Sequence, residues 1–174
     1  MSYKSELTKA MAILAEDPRT LFVGQAVRYG GQAMFPTFAG VPMEKRIEFP
    51  VAEDMQMGYC TGLALGGFIP VSVYPRFDFL LLAANQLVNH LDKLPDICGL
   101  HPKMLIRTAV GSGSALNPGP QHQQNHTEAF RLMLKTVLVF DLQQEEDIAP
   151  SYSLALRHQG PVLLIEHRSQ YDRT

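Results

Sequence analysis

Apolar residues recur along the chain with two alternating periods. Leu7, Ala10, Met11 and Leu14 stand three or four positions apart, which predicts an amphipathic helix that ends before Pro18. Short segments predicted as strands follow at 21–23, 46–49, 69–74, 104–110, 137–140 and 161–166, and most of them are apolar. The segments predicted as helices between these runs are 53–67, 78–94, 126–135 and 145–157.

This alternation of strands and helices predicts an α/β fold. The runs at 137–140 (VLVF) and 161–166 (PVLLIE) are almost continuously apolar, as expected for strands of a parallel sheet that is covered on both faces. We therefore predict a three-layer α/β/α arrangement around a mostly parallel, doubly wound sheet. Right-handed crossovers bring the carboxyl ends of the strands to one edge, where a ligand is expected to bind.

Composition limits the size of the fold and the class of partner. The 174 residues are 46% hydrophobic and 18% charged, which suits a single globular domain over 1–174 with no internal boundary. A formal net charge of -2 gives no basic surface for nucleic acid. Since no apolar run approaches the roughly 20 residues of a membrane span, we expect a soluble, cytoplasmic protein with small molecules and proteins as its partners.

The stretch from Arg46 to Gly67 combines an acid with regularly spaced glycines. Gly58, Gly62 and Gly66 recur every four residues, which places three positions without side chains on one face of the predicted helix. Either tight packing on the chain's own sheet or a contact with another helix explains such a face. Glu53 lies at the preceding strand-to-helix turn, where it is either an ordinary acid at a helix start or a carboxyl group in a poorly hydrated pocket.

Several motifs occur here in the order of one known family. They are RIEFPVAE at 46–53, GYCTG at 58–62, a Gly66-Gly67 turn, IPVSVY at 69–74, FDF at 77–79, NQ at 85–86 and QHQ at 121–123. From about 21 to 166 the sequence resembles the pyrimidine-binding domain of the transketolase superfamily, and above all the beta subunits of 2-oxoacid dehydrogenases. The order of the motifs is more specific than any one of them.

The resemblance implies thiamine diphosphate as the cofactor and assigns four site residues. Glu53 matches the glutamate that hydrogen-bonds a ring nitrogen of the aminopyrimidine and thereby promotes removal of the thiazolium proton. Phe79 would pack against the pyrimidine ring, and Val51 would line the same pocket. His122 matches a histidine that binds a substrate carboxylate or oxygen, although a core phenylalanine and a surface histidine are the ordinary alternatives. Gln25 stands where the family often has an acid.

A second subunit follows from what the sequence lacks. The family holds Mg²⁺ through a Gly-Asp-Gly motif, which is absent here, so we expect a diphosphate-binding partner subunit to carry Mg²⁺. His122 and His126 have no third ligand, and no metal site is predicted in this chain. The chain also stops before the family's further carboxyl-terminal domain. We therefore expect an active site for a keto substrate at the interface of the two subunits, and no activity of this chain alone. We expect the chain to form oligomers through the Gly58/Gly62/Gly66 face. The alternative is that the protein is a non-catalytic relative with a binding or regulatory role.

Overall fold

A parallel sheet forms the centre of the protein. The computed structural model describes residues 2–113 and 117–172. Within these ranges the sheet has six strands: β1 (Thr20–Gly24), β2 (Arg46–Glu48), β3 (Ile69–Tyr74), β4 (Leu105–Val110), β5 (Leu138–Leu142) and β6 (Val162–His167). Their order is β2-β1-β3-β4-β6-β5, and every neighbouring pair is parallel. The predicted sheet is therefore confirmed.

Helices cover both faces of the sheet. They are α1 (Tyr3–Glu16), α2 (Glu53–Leu65), α3 (Phe77–Leu80), α4 (Leu94–Cys98), α5 (Thr127–Met133) and α6 (Ile148–Arg157). Residues of α1 and α6 form one hydrophobic core on the first face, and residues of α2, α3 and α5 form a second core on the other. The three-layer, doubly wound prediction is thus confirmed. Among the described residues, no helix is long and apolar enough to cross a bilayer.

The segment predicted as one helix over 78–94 is helical throughout, but it is not one regular α-helix. After α3 it forms a 3₁₀ turn (Leu81–Ala83), a π-helical turn (Gln86–His90) and a second 3₁₀ turn (Leu91–Lys93) before α4 begins. These changes of pitch follow two polar contacts. Gln86 packs beside Gly58, and the buried Asp92 accepts hydrogen bonds from the chain at 135–137. Apolar periodicity carries no information about such contacts.

Short helical turns also modify two other predicted segments. Phe35–Phe38 forms a 3₁₀ turn between β1 and β2, where the sequence pattern predicts no regular element. Glu145–Asp147 forms a 3₁₀ turn, so that the helix predicted from 145 begins as an α-helix only at Ile148. Neither change alters the layers or the order of the strands.

A buried ion pair joins two central strands. Arg107 of β4 donates from Nε and Nη2 to the Glu166 carboxylate of β6, at 2.6 and 3.0 Å, and neither side chain is exposed. Tyr152 and Tyr171 donate their hydroxyl protons to the same carboxylate. Burial opposes the charge of Arg107, but the attraction of Glu166 outweighs it and raises the pKa of the guanidinium above its usual range. Each of the two buried charges thus has a partner of opposite sign and hydrogen bonds to it, as buried charges require.

Candidate functional site

Glu53 is the first residue of α2 and lies just beyond the carboxyl end of β2. Only 5% of the residue is exposed, and its Oε1 accepts a hydrogen bond of 3.0 Å from Nε2 of Gln25. Within the described ranges, no hydrogen bond to its Oε2 is found. The amino end of a helix suits a carboxylate because the backbone N–H groups there point toward it. Glu53 is therefore a sheltered carboxyl group with one oxygen held and the other open to a ligand.

A second glutamate anchors the loop that carries Gln25. The Glu48 carboxylate accepts the backbone N–H groups of Ala26, Val27 and Arg28, at 2.6, 3.1 and 2.9 Å. Both of its oxygens are thus used within the chain. Glu48 therefore has no carboxylate oxygen left without a partner. Its contacts are those of a residue that shapes the turn after β1.

Phe79 and His122 come together from two different loops. Phe79 lies on α3 after β3, and His122 ends a 3₁₀ turn at Pro120–His122 that follows β4. Their rings meet edge to face, with centroids 5.5 Å apart and planes at 87°. Both residues are half-buried. Because Glu53 follows β2, all three residues lie at the carboxyl edge of the same sheet.

Arg76 supports this arrangement and was not singled out from the sequence. Its Nη1 donates to the backbone oxygen of His122 at 2.6 Å, which ties the loop after β4 to the end of β3. Burial lowers the pKa of the Arg76 guanidinium, and the positive charge of Arg168 lowers it further. A charged residue two positions after the buried run IPVSVY, just beyond Pro75, was the signal that could have identified it.

Tyr74 contacts the backbone of Glu53. It is the last residue of β3, it is buried, and its hydroxyl donates to the backbone oxygen of Glu53 at 3.4 Å. Burial raises the pKa of the Tyr74 phenol well above its usual value, so the group is a neutral donor at physiological pH. Phe77, at the start of α3, is fully buried and packs against Phe130.

Other predicted features lie at the margin of the site. Val51 is 79% exposed, so this chain alone does not enclose it. His126 packs edge to face on Phe77 and shares no helix with His122, which removes the paired-ligand geometry considered for these two histidines. The described residues contain no group of three or more His, Cys, Asp or Glu side chains that could hold a metal ion. The glycine-rich loop 111–119 falls partly outside the described residues.

The Gly58/Gly62/Gly66 face differs from the prediction, which placed all three glycines on one face of a helix. Gly66 is not part of the helix but caps its carboxyl end, because α2 ends at Leu65. A Cβ atom on Gly58 would lie 3.7 Å from the Gln86 side chain, so the neighbour at this position belongs to the chain itself. Around Gly62 there is open space. The exposed part of α2 also carries Met55 and Tyr59, which leaves an apolar surface uncovered.

Comparison with known proteins identifies the family. The family described as "Transketolase, pyrimidine binding domain" matches residues 1–174. The chain belongs to this family. The pyrimidine-binding domain is 30% identical over 163 residues to the pyruvate dehydrogenase E1 component subunit beta of Staurastrum punctulatum, covering 90% of the chain and 48% of the relative. It is 25% identical to the mitochondrial subunit beta of Saccharomyces cerevisiae, covering 98% and 48%. The chain thus spans less than half the length of these curated relatives.

Solved structures show the same fold. Transketolase from Leishmania mexicana matches with a TM-score of 0.74 at 16% identity, covering 95% of this chain and 25% of that one. A structure described as a split gene transketolase, inactive beta4 tetramer, matches with a TM-score of 0.65 at 20% identity, covering 97% and 52%. At these identities the structural likeness establishes the architecture of the pyrimidine-binding domain.

Proposed function

We propose that this pyrimidine-binding domain is one subunit of a heteromeric thiamine-diphosphate-dependent enzyme, in which Glu53 activates the cofactor. The observation that carries the proposal is the environment of Glu53. Its carboxylate is nearly inaccessible, one oxygen is held by Gln25, and the other has no hydrogen bond among the described residues. This open oxygen can share a proton with a ring nitrogen of the aminopyrimidine, which would be its hydrogen-bond partner.

The residues present fit the aminopyrimidine half of the cofactor. Glu53 offers a carboxyl group, Phe79 offers an aromatic face that is half-buried, and Val51 offers an apolar wall once a second subunit covers it. Offset stacking on an aromatic side chain contributes about 1 kcal/mol beyond the burial of area. Since the sequence has no Gly-Asp-Gly motif, we assign the diphosphate and Mg²⁺ to a partner subunit. When bound, thiamine diphosphate supplies the chemistry that cleaves a carbon–carbon bond next to a keto group.

Each residue of the chain has a separate task in this proposal. Glu53 holds and moves a proton at the ring nitrogen that it contacts, which is general acid–base catalysis by a positioned carboxyl group. Phe79 orients the ring. His122 lies in contact with Phe79, where its imidazole can bind a carboxylate or oxygen of a keto substrate, and Arg76 holds its backbone in place.

The partner subunit would contact the exposed part of α2. Met55 is 62% and Val51 79% exposed, which is unusual for large apolar side chains beside a candidate active site. Open space at Gly62 lets another helix approach closely. The relatives are named as subunits of an E1 component or as a split gene product, in agreement with a shared enzyme. We expect the isolated chain to be inactive.

The test requires the chain and a diphosphate-binding partner of Gly-Asp-Gly type. Glu53→Gln removes the titrating proton and keeps the size of the side chain, so turnover of a 2-oxo acid or ketose should fall about 10²- to 10⁴-fold. Asp54→Asn is the matched control, because Asp54 is the next residue of α2 and is exposed. Isothermal titration with thiamine diphosphate checks binding. Equal turnover for Glu53→Gln and Asp54→Asn would leave a non-catalytic binding role for the chain.

A further inference from the structure

Gln25 is the residue next to Glu53 that the family resemblance leaves unexplained. We propose that Gln25 is a positioning residue that fixes the orientation of the Glu53 carboxylate, an inference that rests on the function proposed above. Its Nε2 donates to Oε1 of Glu53 at 3.0 Å, and this is the hydrogen bond found for that oxygen in the described ranges. With Oε1 held, the free oxygen has a defined direction toward the ligand.

The turn that carries Gln25 is built for one conformation. Ala26 has a φ of 51°, and among the described residues it is the one non-glycine residue with a positive φ. An L-residue with a side chain disfavours this conformation, so the surrounding contacts must enforce it. The three N–H bonds to Glu48 do so, and Nε2 of Gln32 adds bonds to the carbonyl oxygens of Gln25 and Ala26.

Gly24 brings this turn close to the centre of the sheet. A Cβ atom at Gly24 would lie 2.5 Å from the backbone oxygen of Val73, a distance that no side chain tolerates. The absence of a side chain therefore lets β1 run close to β3 and places Gln25 directly over the sheet edge at the start of α2. Strain at Ala26, anchoring by Glu48 and close approach at Gly24 all fix the turn that carries Gln25.

The chemistry of an amide explains why glutamine suits this place. Its Nε2 donates without carrying charge, so it can align an ionised carboxylate next to it. An acid at position 25 would put two carboxyl groups within hydrogen-bond distance, and such a pair shares one proton and titrates as a unit. Gln25 therefore leaves Glu53 as an independent carboxyl group with a fixed orientation.

Three substitutions of Gln25 distinguish a role in orienting the Glu53 carboxylate from a role in packing alone. Gln25→Leu keeps the volume and removes the donor, Gln25→Asn keeps the amide but is one methylene shorter, and Gln25→Glu creates the acid pair. Gln143→Leu is the matched control, since Gln143 is exposed and donates to the Asp141 carboxylate at 2.9 Å outside the site. Proton exchange and turnover of all of them are measured in the holoenzyme with the diphosphate-binding subunit and thiamine diphosphate.

The first measurement is exchange of the thiazolium C2 proton for deuterium, together with the steady-state constants. For Gln25→Leu we expect exchange and kcat to fall roughly tenfold to hundredfold, the range for loss of a hydrogen bond to a charged group, while KM changes by less than about twofold. Gln25→Glu should shift the acidic limb of the kcat profile toward higher pH. Unchanged exchange and an unchanged pH profile in both variants would overturn the proposal.

The second measurement uses the chain alone and does not depend on turnover. The ¹³Cδ resonance of Glu53, assigned by its loss in Glu53→Gln, is titrated by NMR in the native chain and in the Gln25 variants. The proposal expects altered titration of this resonance in Gln25→Leu and Gln25→Glu and none in Gln143→Leu. If Glu53→Gln abolishes C2 exchange but the Gln25 variants behave as native in both assays, this inference fails and the proposed function stands. If Glu53→Gln retains exchange, the proposed function fails instead.

Discussion

The charge of Asp92 should account for a measurable part of the stability of the protein at neutral pH. Its side chain is fully buried, and Oδ1 accepts the backbone N–H groups of Lys135, Thr136 and Val137 at 2.9, 2.7 and 3.2 Å. These bonds fasten the helical segment after α3 to the start of β5. Burial opposes ionisation of Asp92, but hydrogen bonds from Lys93 and from this backbone outweigh it and lower its pKa from 3.8 to about 2.

The size of the effect follows from the shift in pKa. A difference of about 1.8 pH units between the unfolded and folded chain corresponds to about 2.5 kcal/mol. This is an upper value because Lys93 is 30% exposed and its contribution is screened by solvent. Since the folded pKa is the lower one, the stabilisation is fully present above about pH 5 and is lost progressively as the pH falls through 3.8 toward 2. At about pH 3 roughly half of it remains.

Two substitutions and urea unfolding test this reasoning. Asp92→Asn keeps an oxygen acceptor and removes the charge, whereas Asp92→Ala leaves the three N–H groups without their acceptor and should cost about 3 kcal/mol or more. The free energies of unfolding are measured by circular dichroism at about pH 7 and about pH 3. The deficit of Asp92→Asn relative to the native chain should shrink by about 1 kcal/mol at the lower pH. A deficit that is the same at both values would refute the assigned role of the charge.

Three further substitutions have defined outcomes. Arg107→Met leaves the Glu166 charge buried without its partner and should lower the free energy of unfolding by about 3–5 kcal/mol in urea titrations; a loss below about 1 kcal/mol would contradict this. Ala26→Gly relieves the positive φ and should leave that free energy unchanged or raise it by up to about 1 kcal/mol, and a clear loss would show that the turn is not strained. Gly62→Leu should block assembly with the partner subunit, and assembly that is unaffected in light scattering would remove α2 from the interface.

Most of the fold could be predicted because its strands are buried on both faces. The runs around Val71 and Leu163 are apolar over several residues, and the glycines and prolines between elements mark the turns. The segment from 78 to 94 could not be predicted in the same way. Its changes between α-, 3₁₀- and π-helical turns follow the contacts of Gln86 and Asp92 with residues that are distant in the sequence. A local sequence pattern carries no information about such contacts.

Some residues of the candidate site could be named from the sequence and others could not, for a related physical reason. Glu53 precedes a helix in a distinctive motif, and Phe79 and His122 belong to short motifs that follow two strands, so the resemblance could name them. Their functional roles stay predictions. Gln25 appeared only as a departure from the family, because the hydrogen bond on which its proposed role rests joins residues 28 positions apart in the sequence. Arg76 acts through the backbone of another loop, a role that its residue type alone does not indicate.

The order of the strands has a consequence for how the chain folds. β6 follows β5 along the sequence but lies between β4 and β5, so β5 has no neighbour in the sheet until β6 is in place. Neighbouring strands of a parallel sheet are joined by long connections, and closing these connections costs entropy before the contacts between the strands form. Sheets of this kind therefore fold slowly. During synthesis the ribosome must therefore release β6 before β5 can join the sheet. Until then β4 and β5 present unpaired edges, which makes this half of the protein the part that most needs protection from aggregation while it folds.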